Sequence, residues 1–491
     1  MRTAYSVSTV RAAEQALMAR LPEGTLMQRA AAGLAAVCTD LLRRGGRVYG
    51  SRVVLLVGSG DNGGDALYAG ARLARRGAGV LAVRVSPGRA HEGGSQALRA
   101  AGGRVVDGLD VPATSRHRDW AGRVDLVVDA VTGIGGRGGL RPGAAALVAR
   151  YTAHDAPVVA VDLPSGVEAD TGEVLGDAVR ADATVTFGAY KPGLLIDPAA
   201  ERAGALHLVD IGLGAELPAV PELEALQYAD VAALLPVPGA ESDKYRRGVV
   251  GIAAGSARYP GAAVLAVSGA LRGGAGAVRY VGPGADAVIA RHPETLVHAG
   301  PPSKAGRVQA WVVGPGLGDG TDAVEAVSDV LAAEVPVLVD ADGLRLLDAD
   351  VVRARTAPTV LTPHAGEAAA LLGVPREEVE AGRLAAVREL ASRFRATVLL
   401  KGSTTLIATD EPGAPVRVNP TGTSWLATAG SGDVLSGLTG SLLAAGLAPH
   451  DAASVGAHLH GLAARHASDG SPVAAQDVAE AIRSAWRDVR A

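Results

Sequence analysis

Cysteine is almost missing from this chain of 491 residues, since Cys38 is the only one. No intramolecular disulfide and no cysteine-based zinc site can therefore form. Cys38 lies in AAGLAAVCTDLL, an amphipathic helical run, and reads as a small buried residue rather than a nucleophile. A basic excess is also lacking. The formal charge is -4 and no basic stripe or tail stands out, which argues against nucleic acid as a partner. No apolar run is long enough to span a bilayer. The start, MRTAYSVSTVRAAEQALMAR, has no uninterrupted apolar core with a small-residue cleavage site after it, so it does not read as a signal peptide. A cytoplasmic enzyme or binding protein, independent of membranes, is the expectation.

What is present is globular: 48% apolar and 20% charged residues, in a length that suits roughly two to four domains. Residues 5–44 read as helical. Short apolar strands then alternate with helical stretches: 52–57, 80–85, 124–129, 158–162 and 184–187, with a helix from Ala66 to Arg76. Continuous apolar strands separated by helices predict a parallel sheet covered on both faces. Between Leu213 and Lys244 the pattern becomes rich in proline and acidic residues and loses its period, which marks a boundary. Alternation resumes with strands at 249–253, 310–313, 335–340, 359–361 and 397–400, and helices at 433–445 and 477–489 close the chain. The fold class expected is α/β, with two such domains in tandem, 1–215 and 216–491.

The quartet GSGD occurs twice. Gly58-Ser59-Gly60-Asp61 opens a G-x-G-x-x-G stretch directly after a strand and before a helix, a context suited to phosphate. The next strand ends Val83-Arg84-Val85-Ser86, without the carboxylate that would hold a ribose; Arg84 would suit a 2′-phosphate instead. Asp61 and Asp65 make the loop acidic, so a phosphate there needs a cation or hydrogen bonds beside it. Asp65 reads equally well as a helix cap. Asp129 and Asp162 end further strands, with Ser165 in the turn after the second. In a parallel sheet such carboxyl ends form the ligand crevice.

GSGDNGGDAL, VVDAVTGIGGRG, VDLPSGVEADTG and TFGAYKPGLL, in this order, resemble the NAD(P)H-hydrate epimerase family over roughly residues 1–215. The resemblance implies a Rossmann-like three-layer domain that interconverts R and S forms of nicotinamide cofactors hydrated at C6. It implies that Asp61, Asn62, Gly63, Gly64 and Asp65, with Gly133, Ile134, Gly135, Gly136, Arg137, Gly138 and Gly139, contact the hydrate. Asp162 would approach the reacting ring as the catalytic residue, and Asn62, Asp129 and Ser165 would hold a potassium ion. Asp61 and Ala66 depart from the family, which usually has Asn and Gly there.

The second quartet, Gly430-Ser431-Gly432-Asp433, follows a loop and opens a helix from Val434 onward. Its amides can form an anion hole with a carboxylate at the mouth, which suits a general base acting while phosphate charge develops. Asp433 as a plain N-cap is the bland alternative. Other polar strand ends accompany it: GPGLG after AWVV, Asp340 and Asp342 in VLVDADGL, His364 and Glu367 in LTPHAGE, and Lys401 to Thr405 after TVLL. Together with GSARYPGAAVLA and AGSGDVLSG, these resemble the ribokinase-like NAD(P)H-hydrate dehydratases over roughly 225–491. That resemblance implies removal of water from the S hydrate at the expense of ADP. Lys401, Gly402, Ser403, Thr404, Thr405 and Gly432 would hold the nucleotide. Ala262, Gly316, His364 and Asp433 would face the hydrate, with Asp433 catalytic and Glu367 holding magnesium through water. ADP as co-substrate, magnesium, potassium and a homo-oligomer are expected.

A vitamin or sugar kinase fused to a non-catalytic Rossmann-like module would share the second GSGD. Stable phosphorylation of hydroxymethylpyrimidine, pyridoxal or ribose would favour it. A zinc site at His458 and His460 is rejected, because residues two apart on a helix point to nearly opposite faces. One of these histidines is expected to be packed and the other solvated.

Overall fold

The computed structural model describes residues 1–86, 88–108, 124–153 and 155–491. The chain divides into two compact units, Thr3–Glu222 and Leu223–Ala491, the latter joined by Met1–Arg2.

In the first unit seven parallel strands run in the order Arg104–Asp107, Gly79–Arg84, Arg52–Val57, Leu126–Ala130, Val158–Val161, Ala183–Phe187, Ala205–Val209. The order reverses between Arg52–Val57 and Leu126–Ala130, so loops leaving these neighbours diverge and open a crevice at their carboxyl ends. Successive side chains of one strand feed two cores. Val53, Leu55 and Val57 pack with helices Thr25–Arg44 and Asp61–Arg75, whereas Val54 and Leu56 pack with Leu147, Val148 and Tyr151 of Pro142–Thr152. Burial on both faces is why these strands carry no polar alternation. Cys38 is fully buried and its thiol is pushed up to about 12 by desolvation.

One local expectation is corrected. The helix after the first GSGD begins at Asp61, not Ala66. Its first turn contains glycines of poor helix propensity because nothing larger fits: a Cβ on Gly63 would lie 2.6 Å from the Gly58 carbonyl oxygen. Arg104–Asp107 and Ala205–Val209 add two edge strands that the sequence reading did not name.

In the second unit the strands from Leu223 onward run Leu223–Ala225, Val416–Asn419, Thr405–Ala408, Thr397–Leu400, Thr359–Leu361, Val337–Val339, Ala310–Val313, Val249–Ala253, Ala277–Val281, Leu296–His298. Thr405–Ala408 is antiparallel to both neighbours; the other pairings in this run are parallel. Helices Pro260–Arg272 and Ser431–Ala444 pack backbone to backbone on this sheet. A Cβ on Gly437 would come within 1.8 Å of the Ala266 carbonyl oxygen. That contact fixes where the second GSGD stands.

His458 and His460 are both buried, so neither is solvated. Their helix, Pro449–Ser468, is covered on nearly every side, and opposite faces are both interior. Burial drives both imidazoles down to about 4, and both are neutral near pH 7.

Candidate active sites

A cavity of about 760 Å³ occupies the crevice of the first unit. Gly58 to Asn62 and Thr132 to Gly139 line it, as do Arg11, Ser86 and Arg89. Of the residues expected from sequence, Asp61, Asn62 and Gly133 to Gly139 therefore meet in one place. Gly63, Gly64 and Asp65 do not line it. They are buried farther along the helix, because a helix starting at Asp61 turns them toward the core. Asp65 is the fifth residue of that helix and is not its cap; the N-cap is Gly60.

Asn62 links the cavity to the strand ends. Its Nδ2 donates to the Val161 carbonyl at 2.6 Å and the Thr132 carbonyl at 3.2 Å. Thr132 N donates to Ser165 Oγ at 2.9 Å, and Ser165 Oγ donates to Asp129 Oδ1 at 2.7 Å. The three expected potassium ligands thus belong to one connected cluster. Asp129 is fully buried, and burial pushes its carboxyl up to about 6 although hydrogen bonds from Ser165 and Val131 oppose this. Among the described residues no cationic side chain contributes there. A buried carboxylate that accepts only from two backbone N–H groups and the Ser165 hydroxyl retains its charge without a cationic partner, and it fits a monovalent cation.

Asp162 follows Val158–Val161 with a φ of 66°, a left-handed conformation rare outside glycine. Its Oδ1 accepts from Thr186 Oγ1 at 2.9 Å, from Phe187 N at 3.2 Å and from the Lys191 ammonium. Lys191 is 1% exposed, and its Nζ also reaches the Phe187 carbonyl at 3.2 Å. Sequence reasoning gave Lys191 no role; a lysine inside TFGAYKPGLL carries no local sign that it will be buried against Asp162. Glu14 and Asp65 surround the pair. Burial raises both carboxyls, and Lys191 opposes the shift at Glu14, while Asp162 and Asp61 add to it at each. Asp65 Oδ1 is buried and makes no hydrogen bond among the described residues. The cluster sets an ion-paired carboxyl, Asp162, beside two carboxyls that burial raises, a pairing suited to a base with acids close by.

In the second unit Lys401 is the centre. Its Nζ bonds Asp340 Oδ1 at 2.7 Å and lies 3.7 Å from Glu367 Oε2. Asp340 Oδ2 accepts from Ser436 Oγ at 2.6 Å, one turn after Asp433. A Cβ on Gly432 would lie 3.5 Å from Lys401 Nζ and 3.7 Å from Asp340 Oδ2. The N-terminus of Ser431–Ala444, Lys401 and Asp340 therefore converge. Asp433 is not the cap of this helix: Gly430 is, in a left-handed conformation, and Asp433 is the third helical residue with no side-chain cap hydrogen bond. Burial first, then Asp340, pushes its carboxyl up to about 7 against the pull of Lys401.

The remaining expected residues frame this point. A Cβ on Gly316 would lie 2.6 Å from Ala262 Cβ, so these two form one wall. His364 caps Ala365–Leu372 through Nδ1, which accepts from Gly366 N at 3.0 Å, and its ring is largely exposed. Glu367 Oε2 accepts from His364 N at 2.7 Å. Gly402 packs under Arg383, whose buried guanidinium donates to the carbonyls of Lys401 at 3.2 Å and Thr404 at 3.0 Å. Arg383 and Ser436, like Lys191, had no signal in the sequence. Asp340, Asp342, Glu367 and Asp433 outnumber the single lysine, so a divalent cation arriving with nucleotide phosphate fits. No group of three or more His, Cys, Asp or Glu among the described residues forms a metal cage of its own.

Residues 250–484 match the family model described as NAD(P)H-hydrate dehydratase, and residues 23–193 match that of the YjeF-related protein N-terminus. The chain is 51% identical over 467 residues to a bifunctional NAD(P)H-hydrate repair enzyme of Mycobacterium leprae, covering 94% of each. It is 34% identical over 418 residues to that of Escherichia coli, covering 84% of this chain and 80% of the relative. Among solved structures, an ADP/ATP-dependent NAD(P)H-hydrate dehydratase from Bacillus subtilis, co-crystallized with ATP and Mg2+, is 30% identical. It covers 54% of this chain and 97% of its own, with a TM-score of 0.49. No helix among the described residues is long and apolar enough to cross a membrane.

Proposed function

The chain belongs to the family of bifunctional NAD(P)H-hydrate repair enzymes, and from that premise we propose how its two sites share the work. The enzyme returns hydrated nicotinamide cofactors to use: one activity interconverts the R and S hydrates and the other dehydrates the S form. We assign epimerisation to residues 1–215 and dehydration to 216–491. The unit limits at Glu222 and Leu223 support a division in this stretch.

Inversion at C6 needs that carbon to become planar. The N1 lone pair expels the C6 hydroxyl once an acid has protonated it, and water then adds to the opposite face while a base removes a proton. Asp162, oriented by Lys191, is the base; Glu14 and Asp65, whose carboxyls burial raises toward holding a proton, are the acids. Asp61, Asn62 and the Gly133 to Gly139 loop bind the hydrate. Potassium, when held by Asn62, Asp129 and Ser165, would supply the positive charge that the buried Asp129 lacks.

Dehydration begins with hydroxide, a poor leaving group. Transfer of the terminal phosphoryl group of ADP to the C6 oxygen solves this: the O–P bond forms, AMP leaves, and Asp433 takes the hydroxyl proton. The N1 lone pair then expels phosphate, and loss of a C5 proton restores the dihydronicotinamide ring. Lys401 and the Ser431 to Asp433 amides face the transferring charge, and Lys401 to Thr405 hold the nucleotide. Magnesium, when bound with the nucleotide, would be held through Glu367 and would supply further neutralisation of phosphoryl charge. The observation that carries this reading is Asp433, a carboxyl at a helix N-terminus that caps nothing and faces Asp340 and Lys401.

The decisive experiment supplies each hydrate epimer, with and without ADP and Mg2+, and follows dihydronicotinamide absorbance. S should recover only with nucleotide, and R should recover at the same final yield. A fragment spanning 221–491 is expected to dehydrate S and to leave R unconsumed beyond its slow spontaneous exchange. A folded fragment without dehydration would defeat the division of labour.

A further inference from the structure

The cavity of the first unit has an unusual charge balance. Four arginines, Arg11, Arg89, Arg137 and Arg141, line it against one carboxylate, Asp61. None of the four has a hydrogen-bonded or ion-paired side-chain partner among the described residues. Arg11 lies against the glycine loop: a Cβ on Gly135 would be 2.5 Å from its Nη2. Such an array, in a concave site, selects a ligand with several negative charges.

The arginines come from two sides of the crevice. Arg137 and Arg141 follow Leu126–Ala130, and Arg11 belongs to the helix Val7–Met18, which meets the Gly133 to Gly139 loop. Arg89 stands alone on the other side. It follows Gly79–Arg84, the strand that pairs with Arg52–Val57 on the edge away from Leu126–Ala130. In a dinucleotide crevice this is the strand end that meets the adenosine ribose, through a carboxylate for a free 2′-hydroxyl or an arginine for a 2′-phosphate. The chain after this strand offers no carboxylate before Glu92, and Asp107, at the end of the neighbouring strand, is held by Arg84. Arg84, the arginine that sequence position favours, is already taken, since its Nε bonds Asp107 Oδ1 at 2.7 Å. Arg89 is exposed toward the cavity beside Ser86, whose carbonyl accepts from Arg89 N at 3.3 Å.

We propose that Arg89 binds the 2′-phosphate of the phosphorylated hydrate, so that the first unit epimerises NADPHX in preference to NADHX. This rests on the epimerase reading above. Arg11, against the glycine loop, serves the part both substrates share.

The test uses the full-length enzyme without ADP, so that only epimerisation proceeds. R-NADPHX and R-NADHX are supplied separately and S is measured by chromatography, with spontaneous exchange subtracted. The parent should show a higher kcat/KM for NADPHX. Arg89→Ala should lower the NADPHX to NADHX ratio by about tenfold or more, through KM, as expected for loss of one charge-assisted contact. Arg89→Lys should restore part of it. Arg11→Ala should lower both substrates alike and leave the ratio in place. NADP+ should also inhibit the parent more strongly than NAD+, a measurement that needs no variant. A parent ratio near one, or a ratio that Arg89→Ala does not move, overturns the proposal and leaves the epimerase reading standing. A parent that dehydrates S but epimerises neither hydrate removes the epimerase reading itself, and the proposal with it.

Discussion

Asp433→Asn should leave a folded enzyme that binds ADP and recovers dihydronicotinamide from the S hydrate at least about a hundredfold more slowly. The change keeps the side chain's shape and removes only its capacity to accept a proton. A capping role predicts near-normal turnover, because Asn caps almost as well as Asp; but Gly430 holds the cap position and Asp433 makes no capping bond. Nucleotide affinity should persist through Lys401 and the Ser431 to Asp433 amides. Two pH measurements sharpen the expectation. With the carboxyl raised to about 7, the parent's dehydration should fall as pH drops below about 7 and the base becomes protonated. A carboxyl raised above its unfolded value of 3.8 stabilises the fold only while protonated, and that contribution disappears as pH rises through about 7. Relative to the parent, the Asn variant should therefore melt higher at pH 8 than it does at pH 5. Turnover within a few-fold of the parent, with ADP bound, would defeat the assignment.

Asp162→Asn should abolish epimerisation and spare dehydration: S is consumed with ADP and Mg2+, and R persists. Asn tolerates the left-handed backbone at this position better than most residues, so the turn should survive. The risk lies in Lys191. Its ammonium is buried with Asp162 as its ion-pair partner, and breaking a buried pair costs about 3–5 kcal/mol. The double variant Asp162→Asn/Lys191→Met removes both charges and should melt closer to the parent while remaining inactive toward R. If the folded variants consume R at the parent's rate, Asp162 has no part in the inversion.

Much of this was readable before any coordinates. Continuous apolar runs such as Arg52–Val57 and Val158–Val161 announce strands buried on both faces, because a half-exposed strand would need polar residues at every second position. Polar residues at the ends of those runs, Asp129 and Asp162 in one unit and Asp340 and Lys401 in the other, announce a crevice, since parallel strands deliver their carboxyl ends to one edge. These are local patterns, and local patterns survive in a linear text. The two GSGD quartets are legible as sites for the same reason, but not as different structures. In the first, the helix starts at the aspartate; in the second, it starts at the serine and the aspartate is its third residue, within the first turn. Packing decided this. Gly63 lies under the Gly58 carbonyl, and Gly437 lies against Ala266, contacts between backbones that helix propensity cannot anticipate.

Pairings across long stretches of sequence were likewise decided only by tertiary structure. Lys191 finds Asp162 across 29 residues and Lys401 finds Asp340 across 61. Asp107 takes Arg84 and so leaves Arg89 to face the cavity. His458 and His460 are both buried because the sheet and neighbouring helices cover nearly every side of their helix, although their spacing suggests one wet face. The sequence by itself determined two α/β units and the residue types at their strand ends, because hydrophobic period and glycine placement act between neighbours in the chain. The partner of each buried charge is a different kind of fact. It depends on which strand ends become adjacent, and the free energy of removing a charge from water is settled only once they do.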